Sequence, residues 1–269
     1  MIVRDPRIKA ERKGLFAKLG QSVMLVIGKI GRGSMIGIGA FFQMRYALTK
    51  RSRREIVRQL YICAVKSLPV VTVVAFFIGM VLALQLGIEL RTYNQEQMIG
   101  SAVMATMLRE MGPFMTGLVI AASVGASMAA QMGTMTVNDE IAALEIMSIN
   151  PLKFLVMPRM VSMIIAMPLL SFYTCILALI GGGVVGYTQL SVPWKTYWVN
   201  AMDFANLRSL YVGLFKATVF GVIIVTVSCY EGFITSRGAV GVGSATRTSV
   251  VLNFLLILVI GYFVTRLFY

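Results

Sequence analysis

Apolar residues along this chain run in long blocks instead of alternating with polar ones. Four windows carry no charge: Leu68–Ile88, Met111–Asn138, Met160–Trp194 and Ser249–Thr265. A helix needs about 20 apolar residues to cross about 30 Å of hydrocarbon, so blocks of this length predict membrane-spanning helices. A membrane β-barrel would instead show short segments of alternating hydropathy. The expected fold is therefore an all-α integral membrane protein with five transmembrane helices. The first span runs from about Lys66 to Ile88, with Pro69 near its start, and a short polar turn follows at Arg91–Gln97. The second runs from Ile99 to Met132; at 1.5 Å per residue it exceeds the bilayer and must tilt, protrude or kink at Pro113. The third begins near Val161 and ends around Gly181, Gly182 and Gly183, because an uncharged window of 35 residues falls short of the roughly 40 that two spans need. The fourth covers Ser209–Tyr230 and the fifth Ser249–Phe268, separated by a Gly-rich loop at Glu231–Arg247.

The ends and connections refine this picture. Residues 1–58 read as a basic cytoplasmic tail and an interfacial amphipathic helix. Leu15–Tyr46 is apolar but interrupted by Lys18, Lys29, Arg32 and Arg45, which suits a segment lying in the headgroup plane better than a poor span. The polar segment Ser191–Arg208 holds both tryptophans, Trp194 and Trp198, the residue type expected at a bilayer boundary. No cleavable signal peptide is expected, since Lys29 and Arg32 break the first apolar run.

Composition agrees with a membrane protein. Mean hydropathy is +0.81, with 58% hydrophobic and only 13% charged residues; soluble domains carry about 25% charge. The net charge of +14 could suggest nucleic acid, but its distribution does not. Fifteen of the 25 Lys and Arg residues lie within residues 1–66, opposed only by Asp5, Glu11 and Glu55. Basic residues beside a first span mark the cytoplasmic side and anionic headgroups, so five spans place Tyr269 outside. There is no histidine, which excludes imidazole metal sites and His-based acid–base chemistry. Cys63, Cys175 and Cys229 are scattered, with no CxxC pair, and read as small hydrophobes.

Four groups of residues stand out. Gly117, Ala121, Gly125, Ala129 and Gly133 repeat every four positions, a smooth stripe for a second backbone to approach. The stripe serves either packing within one subunit or an interface between subunits. The Gly133–Arg159 loop carries Asp139, Glu140 and Glu145 against Lys153 and Arg159, an acidic excess that the positive-inside rule does not explain. Asn138 is expected to cap a short helix there, ended by Asn150-Pro151, with Ile141, Leu144 and Met147 near one face. Such a helix suits a groove in a cytoplasmic partner, or lies against its own bundle. Arg109 and Glu110 sit deep in the second span and, as neighbours, point to different helices; Lys216 is expected to snorkel. Glu96 lies in the outer turn near Arg91. No nucleotide-binding fingerprint is present, so an active transporter would take its ATPase from another chain.

Over about residues 55–269 the chain resembles the MlaE (YrbE) permease family, the membrane subunits of MCE-associated ABC lipid transporters. GMVLALQ (Gly79–Gln85), LREMGP (Leu108–Pro113), the GTM, EIAALEIMSINP and PR segments of the 133–159 loop, and CYEGF with GVGSATRTSVV carry the resemblance. It departs from the family pattern at Ser123, where many members carry arginine, and at Gln131, usually acidic. The resemblance implies that residues 59–269 form a permease domain, dimeric with a second copy of itself and non-catalytic. It implies a cytoplasmic ABC ATPase dimer that binds ATP and Mg, a periplasmic MCE-domain hexamer, a small STAS-type accessory subunit, and phospholipid as cargo in the bacterial inner membrane. A coupling helix would contain Asp139, Glu140, Leu144, Glu145 and Met147. An outward-facing lipid cavity would be lined by Phe77, Met80, Gln85, Arg91 and Glu96. Two other functions fit the residues less well: a non-transporting scaffold docking partners through the acidic loop, and an intramembrane lipid enzyme using Arg109, Glu110 and Lys216.

Overall fold

Hydrocarbon offers no partner for backbone N–H and C=O groups, so a chain this apolar closes its hydrogen bonds within helices. The computed structural model describes residues 50–236 and 238–268, with isolated positions 31, 33, 35, 37, 39 and 43 before them. The described residues are all-α, and five helical segments are long and apolar enough to cross a membrane: Ser52–Thr92, Glu96–Val137, Leu152–Thr188, Leu207–Phe233 and Gly238–Phe268. The interfacial segment expected at 15–46 lies outside the described residues apart from those isolated positions.

The first span joins α1 (Lys50–Cys63) to α2 (Leu68–Thr92) through a 3₁₀ turn at Val65–Ser67. The second is built from α3 (Ile99–Thr106), α4 (Gly112–Ile120) and α5 (Ala126–Val137), joined by π turns at Met107–Met111 and Ala121–Gly125. A short helix α6 (Glu140–Ile146) follows. The third span is a π turn at Leu152–Val156 and α7 (Met157–Thr188); α8 (Trp194–Asp203) then lies at the end opposite α6, the end that the sequence predicts to face outward. Helices α9 (Leu207–Phe233) and α10 (Gly238–Phe268) complete the bundle.

Three differences from the sequence reading have physical causes. The third span does not stop at its glycines. They let neighbours in on two sides: a Cβ on Gly181 would strike the Phe76 carbonyl, and Cβ atoms on Gly182 and Gly183 would strike Tyr197 and Trp194. The Gly-rich segment at 231–247 is mostly helix. Glu231–Phe233 finishes α9, and α10 begins at Gly238, whose φ of +64° makes the corner. Helix α10 persists because Gly241, Ala245, Ser249, Asn253, Ile257 and Gly261 are all buried along one side. At Pro113 the expected kink is taken up by the π turn immediately before it.

Close backbone approach sets the packing. On α2, Val71, Ala75, Gly79, Ala83 and Gly87 form a buried row against α7, where a Cβ on Gly79 would overlap the Ala178 carbonyl. The row from Gly117 to Gly133 is buried within the subunit: Gly117 meets Phe220 and Ile257, Gly125 meets Ile224, Ser228 and Asn253, and Gly133 meets Thr235 and Val242. Four residues overshoot one α-helical turn by about 40°, so a row this long drifts around a regular helix. The wider turn at Ala121–Gly125 resets the drift midway.

Polar side chains join the same three helices. Lys216 does not snorkel. It is 1% exposed, and its Nζ donates to Glu110 Oε2 at 2.9 Å, the Arg109 carbonyl at 3.1 Å and Thr265 Oγ1 at 2.7 Å. Thr265 in turn donates to Glu110 Oε1 at 2.8 Å. Arg109, pointing the other way, donates from Nε to Ser209 Oγ at 3.3 Å. Nearer the α6 end of the bundle, Ser249 donates to Ser228 at 3.0 Å, and Asn253 Nδ2 lies 3.2 Å from the same hydroxyl.

Two predictions follow from this packing, both read as thermal unfolding midpoints in detergent. Gly79→Ala should destabilise by about 1–3 kcal/mol, since α2 and α7 must part. Gly243→Ala, in open space, should be neutral or stabilise by up to about 1 kcal/mol. Equal midpoints for the two variants would contradict the close-approach account. Glu110→Gln should cost about 3 kcal/mol by leaving buried Lys216 without its counter-charge. The apolar double variant Glu110→Leu with Lys216→Met should recover most of that loss, because Thr265 keeps its bond to the Gly261 carbonyl.

Candidate functional site

Helix α2 has two opposite characters. Behind its buried row, Val70, Val73, Phe77, Val81, Leu84 and Ile88 stand exposed at steps of three or four residues. The exposed row is about 27 Å long at 1.5 Å per residue, close to the hydrocarbon thickness. Of the residues expected to line a lipid cavity, Phe77 and Gln85 lie exposed on this side. Met80 is half-buried and packs against the outer core of α3 and α7 instead. At the outer end of α2 the chain turns through Asn94 (φ 54°) and returns at a 3₁₀ turn, Glu96–Met98. That turn brings Arg91 Nε to 3.3 Å from Glu96 Oε1, both side chains at least partly open to solvent. The result is an apolar wall ending in a charged rim.

The loop between the second and third spans differs in detail from the expected capped helix. Asn138 closes α5, and Asp139 occupies the start of α6 in the left-handed region at φ 57°, with no side-chain capping bond. The chain leaves α5 with Thr136 still bonded to the Met132 and Gly232 carbonyls, so the corner falls at Asp139. Asn150 does not end α6 but opens the following segment: its Oδ1 accepts from Leu152 N at 2.9 Å, with Pro151 one position in. Ile141 packs onto the core and Leu144 is half-buried. Met147 is 60% exposed and stands outward with Ile146, 85% exposed, beside exposed Asp139, Glu140 and Glu145. Ile146 was not singled out from sequence; seven residues of helix are too few for a reliable face.

Arg159 is a second residue that sequence reasoning passed over, having counted it only as loop charge. It is 5% exposed at the start of α7, and its Nη2 donates to Gln131 Oε1 at 3.1 Å. Nη1 has no hydrogen-bond partner among the described residues. The Pro158-Arg159 pair at a span entrance was its only sequence signal. The departure at Gln131 thus has a structural meaning: an amide oxygen, not a carboxylate, faces this guanidinium.

At the outer end, Tyr197 of α8 is buried against Gly182, Gly183 and Gly186 and donates to the Leu179 carbonyl at 3.1 Å. Burial pushes its phenol well above the ordinary range, so it stays a neutral donor. No cluster of His, Cys, Asp and Glu able to hold a metal occurs among the described residues.

Known proteins share this pattern over most of the chain. The family profile described as "Permease MlaE" matches residues 56–267. A probable ABC transporter permease protein of Rickettsia prowazekii is 41% identical over 214 residues, covering 80% of this chain and 83% of its own. A probable ABC transporter permease protein of Synechocystis is 31% identical over 218 residues, covering 81% and 83%. A Haemophilus influenzae protein named as the intermembrane phospholipid transport system permease protein MlaE is 27% identical over 252 residues, covering 93% and 96%. With five apolar spans and a family match across four-fifths of its length, this chain belongs to the MlaE permease family of ABC transporter membrane subunits.

Proposed function

We propose that this chain is the permease subunit of an ATP-driven intermembrane phospholipid transporter. The observation that carries the reading is the apolar face of α2 ending at the Arg91–Glu96 pair. Acyl chains lie against Val73, Phe77, Val81 and Ile88, while Gln85, Arg91 and Glu96 meet the headgroup at the outer rim. Two copies of the chain place these faces around one cavity. The name of the Haemophilus relative supports phospholipid as the cargo class.

The energy comes from elsewhere. ATP and Mg are bound by a separate cytoplasmic ATPase dimer, which docks on α6 through Ile146 and Met147 with Asp139, Glu140 and Glu145 around them. Ile141 fastens α6 to its own bundle, so a push on the helix reaches the spans. Differential lipid affinity of the open and closed cavity is what makes hydrolysis useful. A periplasmic MCE-domain hexamer receives the lipid, and a small STAS-type subunit accompanies the ATPase. In this reading the protein sits in the bacterial inner membrane, with the N-terminus cytoplasmic and Tyr269 periplasmic.

Gentle purification from the source membrane, followed by mass spectrometry, tests the assembly. It should recover a P-loop ATPase, an MCE protein and phospholipid; the chain alone and lipid-free would contradict it. Converting Asp139, Glu140 and Glu145 to lysine should lower ATPase recovery about tenfold or more while the dimer persists. Unchanged co-purification would remove α6 from the interface.

A further inference from the structure

A second apolar recess lies away from α2. It encloses about 400 Å³ in the outer half of the bundle, between α3, α7, α9 and α8. Leu108 and Leu210 form its back, Phe172 and Ile176 one wall, and Trp198 and Met202 of α8 its roof. Polar groups on the lining are few: Asn206, its Oδ1 accepting from Arg208 N at 2.9 Å; Cys175, its thiol donating to the Met107 carbonyl at 3.5 Å; and the Trp198 indole.

We infer that this recess holds one acyl chain of a phospholipid from the outer leaflet, tucked beneath α8. Three observations choose hydrocarbon as the occupant. The recess opens sideways beside Phe172 and Ile176, which continue an exposed apolar row through Ile165 and Leu169 along α7, the surface that bilayer hydrocarbon bathes. Its depth is right: Met104 and Leu108 stand about 8 and 14 Å below the outer start of α3 at 1.5 Å per residue. Its chemistry excludes water, which needs two or more polar partners to stay in a cavity, and an empty recess would forfeit the dispersion contacts of its lining. The roof distinguishes the site from ordinary boundary lipid. Helix α8 is held down by the Tyr197 bond to Leu179 and by Asn200 Nδ2 donating to the Gln97 carbonyl at 2.6 Å. A chain must therefore enter end-on from the side, with its headgroup outside α8 near the Trp194 and Trp198 boundary. The site is separate from the α2 face, and it requires that the protein span a bilayer with α8 at the outer end, not that it transport lipid.

The test uses the full chain with its co-purifying subunits in nanodiscs of phosphatidylethanolamine and phosphatidylglycerol, doped with phosphatidylethanolamine bearing a diazirine near the acyl terminus. After irradiation, peptide mass spectrometry should find adducts concentrated on Leu108, Phe172 and Met202 over exposed apolar positions on α10 such as Val251 and Leu255. Ile176→Trp from the wall and Met202→Trp from the roof should each lower labelling of Leu108 about tenfold, the equivalent of about two methylenes excluded, and leave α10 labelling unchanged. Even labelling of all exposed apolar positions, unmoved by either tryptophan, would show boundary lipid only and overturn the inference. So would adducts absent from the recess because a co-purifying subunit's helix fills it. If either substitution prevents folding, the wild-type distribution decides. Labelling needs no ATP, so the result stands whether or not lipid transport is confirmed.

Discussion

The bundle depends on backbones coming closer than ordinary side chains allow. In hydrocarbon, apolar burial gives no drive for helices to associate, so packing contacts and interhelical hydrogen bonds do that work. Three rows of residues at four-residue spacing supply the contact: Ala75 to Gly87 on α2, Gly117 to Gly133 on the second span, and Gly241 to Gly261 on α10. The α2 row closes against α7, and the other two close around α9 and one another. Everything functional is fixed by this. With its small residues turned inward, α2 has its large ones left facing out, and those make the candidate lipid wall.

Close packing brings polar groups together that would otherwise be ruinous in a membrane. Lys216, Glu110 and Thr265 satisfy one another only because Gly213 lets α9 come against the Leu108 carbonyl. The π turn at Met107–Met111 falls at the same place, and the Arg109 carbonyl there accepts from Lys216. This ion pair and its threonine join the second, fourth and fifth spans. The second π turn sits beside the Ser228–Ser249–Asn253 cluster. Irregular helix and buried polarity thus coincide twice along one span.

Much of this was legible in the sequence, and the rest was not for identifiable reasons. Apolar blocks, four of them free of charge and one broken only by Lys216, predicted the five spans, because length against bilayer thickness needs no tertiary knowledge. The Gly117–Gly133 row was visible; whether it faced inside or outside the subunit was not, since that depends on which helices come beside it. The α2 row hid inside an apolar block with no polar contrast. Gly238–Arg247 looked like loop because its glycines were read by local propensity, whereas packing keeps them helical. Lys216 was given the default behaviour of a lone intramembrane lysine; its partners lie 106 and 49 residues away. Asn138 lost the capping role to a left-handed Asp139, a choice made by the geometry of leaving α5. Of the cavity residues, Phe77 and Gln85 followed from helix phase, while Met80 sits one step round and is drawn into the core.

In the proposed function, an apolar wall, a charged rim and an acidic helix fastened to the same bundle form one mechanical chain from ATPase to lipid. The most direct measurement is transfer of a fluorescent phospholipid between vesicles and an acceptor by the reconstituted complex, comparing the intact ATPase with one that binds but cannot hydrolyse ATP. The account predicts transfer that requires hydrolysis and falls to background in the inactive complex. Equal transfer in both would contradict coupling between the ATPase and the cavity.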